Sequence, residues 1–149
     1  MTQFKTLDDI NFEGKRVLVR VDLNVPVTQD ETGHVSVTDT TRMQRIKTTI
    51  NEICDAGGKV ILLAHFGRPK GKIVPEMSLA AIVSTLSNVI GKPIAFGTDC
   101  IGPMARAAVE AMHNGDIVLL ENTRFHAGEE ANDDGFTASL AANGDIFVS

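Results

Sequence analysis

The chain has no Trp and no Tyr, and aromatic residues make up 5% of it. Its core must therefore be aliphatic, with seven Phe as the only large rings. Only two cysteines are present, Cys54 and Cys100, and they form no spacing motif. That argues against a disulfide framework and against a cysteine-based zinc site, and it fits a reducing compartment. Residues 1–10 lack the apolar centre of a signal peptide, and no apolar run approaches the roughly 20 residues that span a bilayer. Basic residues are in the minority: 14 Lys and Arg stand against 19 Asp and Glu, for a net charge of −5. Such a surface repels nucleic acid and anionic membranes, so neither is expected as a partner. A glycine-rich nucleotide fingerprint is missing too, because Gly57-Gly58 precedes a strand rather than a helix. His126 and Glu129-Glu130 have no specific metal spacing, and Ser78 and Ser84 have no neighbouring base, so neither a metal site nor a serine nucleophile is expected.

What is present is an ordinary globular composition, 43% hydrophobic and 22% charged, over 149 residues, the size of one domain. Its centre of organisation is the run Lys59-Val-Ile-Leu-Leu-Ala-His65-Phe-Gly-Arg68-Pro-Lys-Gly71. Val60 to Ala64 is continuously apolar and bounded by Gly57-Gly58 and by Gly67-Arg68-Pro69, which is the pattern of a strand buried on both faces. A polar lead-in, residues 1–14, precedes a first strand from Arg16 to Val21. Residues 27–38 suggest a small hairpin excursion. Asp39 or Thr40 can cap a helix with Met43, Ile46, Ile50, Ile53 and Cys54 on one face, ended by Gly57-Gly58. Ser78 is expected to cap a helix running to Ile90. A short strand follows at Pro93 to Phe96, then a helix from Met104 to Met112, a strand at Asp116 to Leu120, a helix from Asp133 to about Ala142, and a strand at Ile146 to Val148.

Strands alternating with helices imply parallel crossovers, and hence a three-layer α/β/α sandwich with a mostly parallel, Rossmann-like sheet. In such sheets ligands lie beyond the carboxyl ends of the strands. Three strand ends carry polar groups: Asp22-Leu23-Asn24 after the first strand, His65-Phe66-Gly67-Arg68 after the central one, and Glu121-Asn-Thr-Arg124-Phe-His126 after the strand ending at Leu120. Arg42 adds a cation in the first turn of a helix, where the dipole favours anions. Taken singly these residues have plainer explanations: a packed histidine, a loop-bracing arginine, a turn-capping aspartate, a solvated arginine. Together they describe one pocket for a small polyanion that also bears hydroxyl groups, since Arg and His grip phosphate and carboxylate whereas Asp suits a hydroxyl. Two plainer functions compete with this one: a non-catalytic module binding a small phosphorylated acid, and an interaction domain whose arginines are surface salt bridges.

The stretches Arg20-Val-Asp-Leu-Asn-Val-Pro26, Arg42, His65-Phe-Gly-Arg-Pro69 and Glu121-Asn-Thr-Arg-Phe-His126, followed by Glu129-Glu130, resemble phosphoglycerate kinase, in order and over essentially the whole chain. The resemblance implies that residues 1–149 form the N-terminal domain of that enzyme, incomplete at its end. It implies that Asp22, Leu23, Asn24, Arg42, His65, Phe66, Gly67, Arg68 and Arg124 bind 3-phosphoglycerate or 1,3-bisphosphoglycerate. Within that set Asp22 and Asn24 would hold the hydroxyl and carboxylate end, His65, Arg68 and Arg124 the 3-phosphate, and Arg42 would act catalytically on the transferred phosphoryl group. Mg–ADP or Mg–ATP would bind a C-terminal domain absent from this chain, leaving no cofactor or metal site here. The full-length enzyme would be a cytoplasmic, monomeric enzyme of glycolysis, and this stretch alone would not catalyse. Three positions depart from the family pattern: Phe66 stands where Leu is usual, Ala64 where Ser is common, and Thr48-Thr49-Ile50 lacks a proline.

Overall fold

The computed structural model describes residues 11–21, 23, 25–29, 31–32, 35–64, 78–123 and 141–148. The elements run β1 (Arg16–Arg20), β2 (Val27–Gln29), β3 (Val35–Val37), α1 (Thr41–Asp55), β4 (Lys59–Leu63), a 3₁₀ turn (Leu79–Ile82), α2 (Val83–Ile90), β5 (Ile94–Gly97), α3 (Gly102–Glu110), β6 (Ile117–Leu120) and β7 (Ile146–Val148). Five strands form one sheet in the order β5-β6-β4-β1-β7, and every pairing in it is parallel. The expected hairpin is the antiparallel pair β2 and β3.

The central strands are apolar throughout because both of their faces are covered. Successive side chains of a strand alternate between faces. Val17, Val19, Val60, Leu62, Ile117 and Leu119 accordingly pack with Met43, Ile50 and Ile53 of α1 and Leu86 and Ile90 of α2. Leu18, Ile61, Leu63, Val118 and Leu120 pack on the other side with Ala105 and Val109 of α3. The three layers expected from the sequence are present.

Chain direction explains this division. From β1 to β4 to β5 the chain moves toward one edge of the sheet, with α1 and α2 on one face. From β5 it turns back to β6, with α3 on the opposite face. Crossovers of one hand require that exchange of faces when direction reverses. The strand order therefore reverses between β4 and β6, the kind of switch point at which open α/β sheets generally bind ligands.

Two elements depart from their expected form. Ser78 does cap, its hydroxyl accepting from the Ala80 N–H at 3.2 Å, but the first turn is 3₁₀ and the α-helix begins only at Val83. Leu79 and Ile82 are both fully buried, and three residues per turn stacks positions i and i+3 on one line. From Ile82 the inward residues Leu86 and Ile90 follow at the α-helical interval of four. Helix α3 ends at Glu110, with Met112 buried in the turn beyond it, its N–H donating to the Val109 carbonyl at 3.1 Å. Helix α1 runs unbroken through Thr48-Thr49, where the family proline is missing. Of the helix expected from Asp133, residues 133–140 lie outside the described residues.

The amino edge of the sheet is closed by backbone. Gly14 N–H donates to the Gly57 carbonyl at 3.0 Å, and Gly115 N–H to the Gly58 carbonyl at 2.9 Å. Edge strand β7 is fastened by Asp145, whose carboxylate accepts from the Arg16 backbone N–H at 2.9 Å and from its guanidinium at 3.0 and 3.2 Å. These bonds from Arg16 hold the Asp145 carboxyl below its ordinary value, and the same pairing raises the Arg16 guanidinium.

Two outcomes follow from this packing. A Cβ on Gly144 would lie 2.5 Å from Leu18 Cγ and 3.2 Å from the Arg16 carbonyl oxygen. Gly144→Ala should thus cost about 1–3 kcal/mol, read as a lowered urea midpoint at unchanged slope. Because the folded carboxyl of Asp145 is depressed, its contribution is complete above the unfolded carboxylate value and is lost as pH falls through the folded one. The melting temperature of Asp145→Asn should lie below that of the parent at neutral pH and converge with it in acid. A gap that persists well below the ordinary carboxylate range would show that the ion pair is not its cause.

Candidate functional site

Three neighbouring parallel strands, β6, β4 and β1, deliver the chain to one edge of the sheet. Past that edge the ladder continues in loop backbone: Val21 N–H donates to the Leu63 carbonyl at 3.0 Å, and Thr123 N–H to the Ala64 carbonyl at 3.0 Å. Helices α1 and α2 run back against the strands, so their amino ends rise at the same edge. Val21, Ala64 and Thr123, which precede in sequence the stretches beginning at residues 22, 65 and 124, therefore lie at one edge of the sheet.

Of the residues singled out in the sequence, Asp22, Asn24, His65, Phe66, Gly67, Arg68 and Arg124 lie outside the described residues. Leu23 and Arg42 are described, and they differ in kind. Leu23 is fully buried, with 0% exposure, among Val19, Val21 and Val25 in the α1/α2 face of the core. Its side chain anchors the segment and is closed to a ligand, leaving only main chain to offer. Arg42 is exposed in the first turn of α1 and lines a cleft of about 550 Å³ with Val25, Pro26, Asp39, Thr41 and Arg45.

The amino end of α1 explains why that cleft is cationic. No acidic residue occupies its first turn, and Thr40, at the capping position, makes no capping bond. Asp39, one residue earlier, acts in its place: its Oδ1 accepts from the Thr41 N–H at 2.9 Å and from the Thr41 hydroxyl at 2.6 Å. Those two bonds are the main reason the Asp39 carboxyl lies below its usual range, with Arg42 and Arg45 adding to the effect. One carboxylate already committed to a turn thus faces two guanidinium groups.

Several residues of this edge escaped the sequence analysis as site components. The Glu121 carboxylate ties its own segment to the start of the 79–90 segment. Its Oε2 accepts from the Ser78 hydroxyl at 2.6 Å, and its Oε1 accepts from the N–H groups of Leu79 at 2.9 Å and Asn122 at 2.8 Å. Beside it Asn122 and Thr123 are polar yet buried, at 0% and 3% exposure, and Thr123 Oγ1 has no hydrogen-bond partner among the described residues. An acid directly after a buried strand and a capping serine were both visible in the sequence. Their pairing across 43 positions was not. Arg45 was visible only as a second arginine three residues after Arg42.

Comparison with known proteins agrees with this architecture. A family model described as phosphoglycerate kinase matches residues 7–149. The chain is 61% identical, over 150 aligned residues, to a phosphoglycerate kinase of Methylorubrum extorquens, and 59% identical to that of Agrobacterium fabrum. All of this chain is covered in both cases, but it spans only 36% of the length of either relative. Among solved structures it resembles phosphoglycerate kinase from Pyrococcus horikoshii, with a TM-score of 0.80 at 26% identity, covering 95% of this chain and 35% of that one. The enzyme from Coxiella burnetii also gives 0.80, at 30% identity, covering 97% and 34% respectively.

The Glu121 tie is testable by unfolding. Glu121→Gln replaces a charged acceptor of three donors, and should cost about 1–3 kcal/mol in urea denaturation. Ser78→Ala should cost less. The double variant should fall short of the sum of the two, because both remove the same hydrogen bond.

Proposed function

The chain belongs to the phosphoglycerate kinase family, and from that premise we propose that it supplies the enzyme's N-terminal, phosphoglycerate-gripping domain. The supporting observation is the adjacency of β1, β4 and β6, whose carboxyl ends are followed in sequence by the motif-bearing stretches. In this proposal Asp22 and Asn24 hold the hydroxyl and carboxylate end of the substrate. Main chain next to Leu23, and the stretch Phe66-Gly67, shape the wall. His65, Arg68 and Arg124 clasp the 3-phosphate.

Arg42 faces the acyl end. During transfer the bond from phosphorus to the carboxyl oxygen of 1,3-bisphosphoglycerate breaks, and its electron pair remains on the carboxylate. A β-phosphate oxygen of ADP forms the new bond, giving ATP and 3-phosphoglycerate. Charge spreads over the moving phosphoryl group, and a guanidinium aimed there stabilises it more than it stabilises the ground state. The described residues include no group of three His, Cys, Asp or Glu side chains placed to hold a metal ion. We assign Mg–ADP and Mg–ATP to a second domain, whose closure onto this one would exclude water. Both cysteines are free and buried, as a reducing cytoplasm permits, and burial pushes the Cys54 thiol up, away from reactivity. No helix among the described residues is long and apolar enough to cross a membrane.

Thermal melting of the 149-residue chain tests the proposal. Saturating 3-phosphoglycerate, at about 100 times its dissociation constant, should stabilise the fold by about 2.7 kcal/mol and raise the midpoint, whereas Mg–ADP should leave it where it was. A midpoint indifferent to 3-phosphoglycerate would remove the basis of the assignment. In an enzyme of full family length, Arg42→Ala should lower kcat by about 10²–10³-fold, the size expected for losing one preorganised donor to the transition state.

A further inference from the structure

We propose that Arg45 is a second anion-recognising residue of this site, selective for the carboxylate end of the substrate over its phosphate end. The inference rests on the reading above, which places Arg42 at the acyl end. It extends that reading to a residue carried by none of the motifs.

Arg45 follows Arg42 by three positions on α1, so the two side chains are neighbours on one face of the helix. Helical side chains lean toward the amino terminus, which brings the Arg45 guanidinium back over the first turn. Both arginines line the same cleft of about 550 Å³, with Thr41, Asp39, Val25 and Pro26.

Their placement costs stability in two ways. Like charges three apart repel, and cations at a helix amino end oppose the dipole. Asp39, which lines the cleft, attracts both arginines, but it is one carboxylate against two guanidinium groups. Among the described residues Arg45 makes no salt bridge, whereas Arg16 and Lys92 each do. An anion entering the cleft from solvent would relieve the repulsion and complement the dipole together. In 3-phosphoglycerate the group available at that end is the carboxylate. In 1,3-bisphosphoglycerate it is the acyl phosphate.

Glycerol 3-phosphate, which keeps the phosphate and replaces the carboxylate with a neutral alcohol, separates the two ends. Dissociation constants for both ligands are to be measured by calorimetry on the 149-residue chain and on its Arg45→Ala and Arg45→Lys variants. Arg45→Ala should weaken 3-phosphoglycerate about three- to tenfold, the scale of one partly solvated charge pair, while leaving glycerol 3-phosphate unchanged. Arg45→Lys should restore part of the loss, because it restores the charge but not the fork. The salt dependence of 3-phosphoglycerate binding should become shallower in Arg45→Ala.

Equal losses for the two ligands, or no loss for either, would overturn the proposal. Ala is the strongest helix former, so a folding defect at this exposed position is not the expected cause of any change. If the parent chain binds neither ligand, the functional assignment itself fails. If it binds 3-phosphoglycerate and Arg45→Ala binds it equally well, only the role of Arg45 fails.

Discussion

The structure depends on β4 being buried from both sides. Val60 and Leu62 face α1 and α2 while Ile61 and Leu63 face α3, and all four are at most 3% exposed. A strand so placed has no polar face to turn toward solvent. It must lie inside the sheet, flanked by β1 and β6, and its crossover helices must cover both surfaces. Where those helices change sides, between β4 and β6, the strand order reverses. That switch point is a consequence of hydrophobic layering, available before any ligand-binding residue is added.

At the carboxyl edge of the sheet the polar groups divide their tasks. Glu121 and Ser78 hold the segment after β6 against the start of the α2 segment, through short, part-buried hydrogen bonds. Asp39 organises the amino end of α1 in the same manner. These carboxylates set local geometry through backbone and hydroxyl donors, and Asp39 also attracts both Arg42 and Arg45. Arg42 and Arg45 remain on a rigid helix rather than on a loop, which limits the freedom lost when an anion arrives. The cysteines, buried on opposite faces of the sheet, take no part.

Much of the fold was legible in the sequence because binary patterning is a local signal. The continuous apolar runs at 17–19, 60–64 and 117–120 state that each strand is covered twice, and the spacing of Met43, Ile46, Ile50 and Ile53 states a helix. The form of the 79–90 segment was not legible. A 3₁₀ turn and an α-turn differ by one hydrogen-bond partner, and what selects between them at Leu79 is the line joining two buried side chains and a carboxylate more than forty residues away. Helix α3 likewise ended short of Met112, since an apolar residue can be buried from a turn as well as from a helix. Leu23 shows a related limit: the sequence does not say that its side chain lies in the core, leaving main chain to face any ligand.

Most element types, the parallel sheet and the family were determined by the sequence alone, because periodicity, turn residues and motif order reside in contiguous residues. Tertiary structure decided which strands are neighbours, on which face each helix lies, and hence where the strand order reverses. It also decided that Glu121 meets Ser78 and that Arg45 shares a cleft with Arg42. Those relations join segments far apart along the chain, and they exist only once layers packed at near-crystalline density leave each side chain a single place to go.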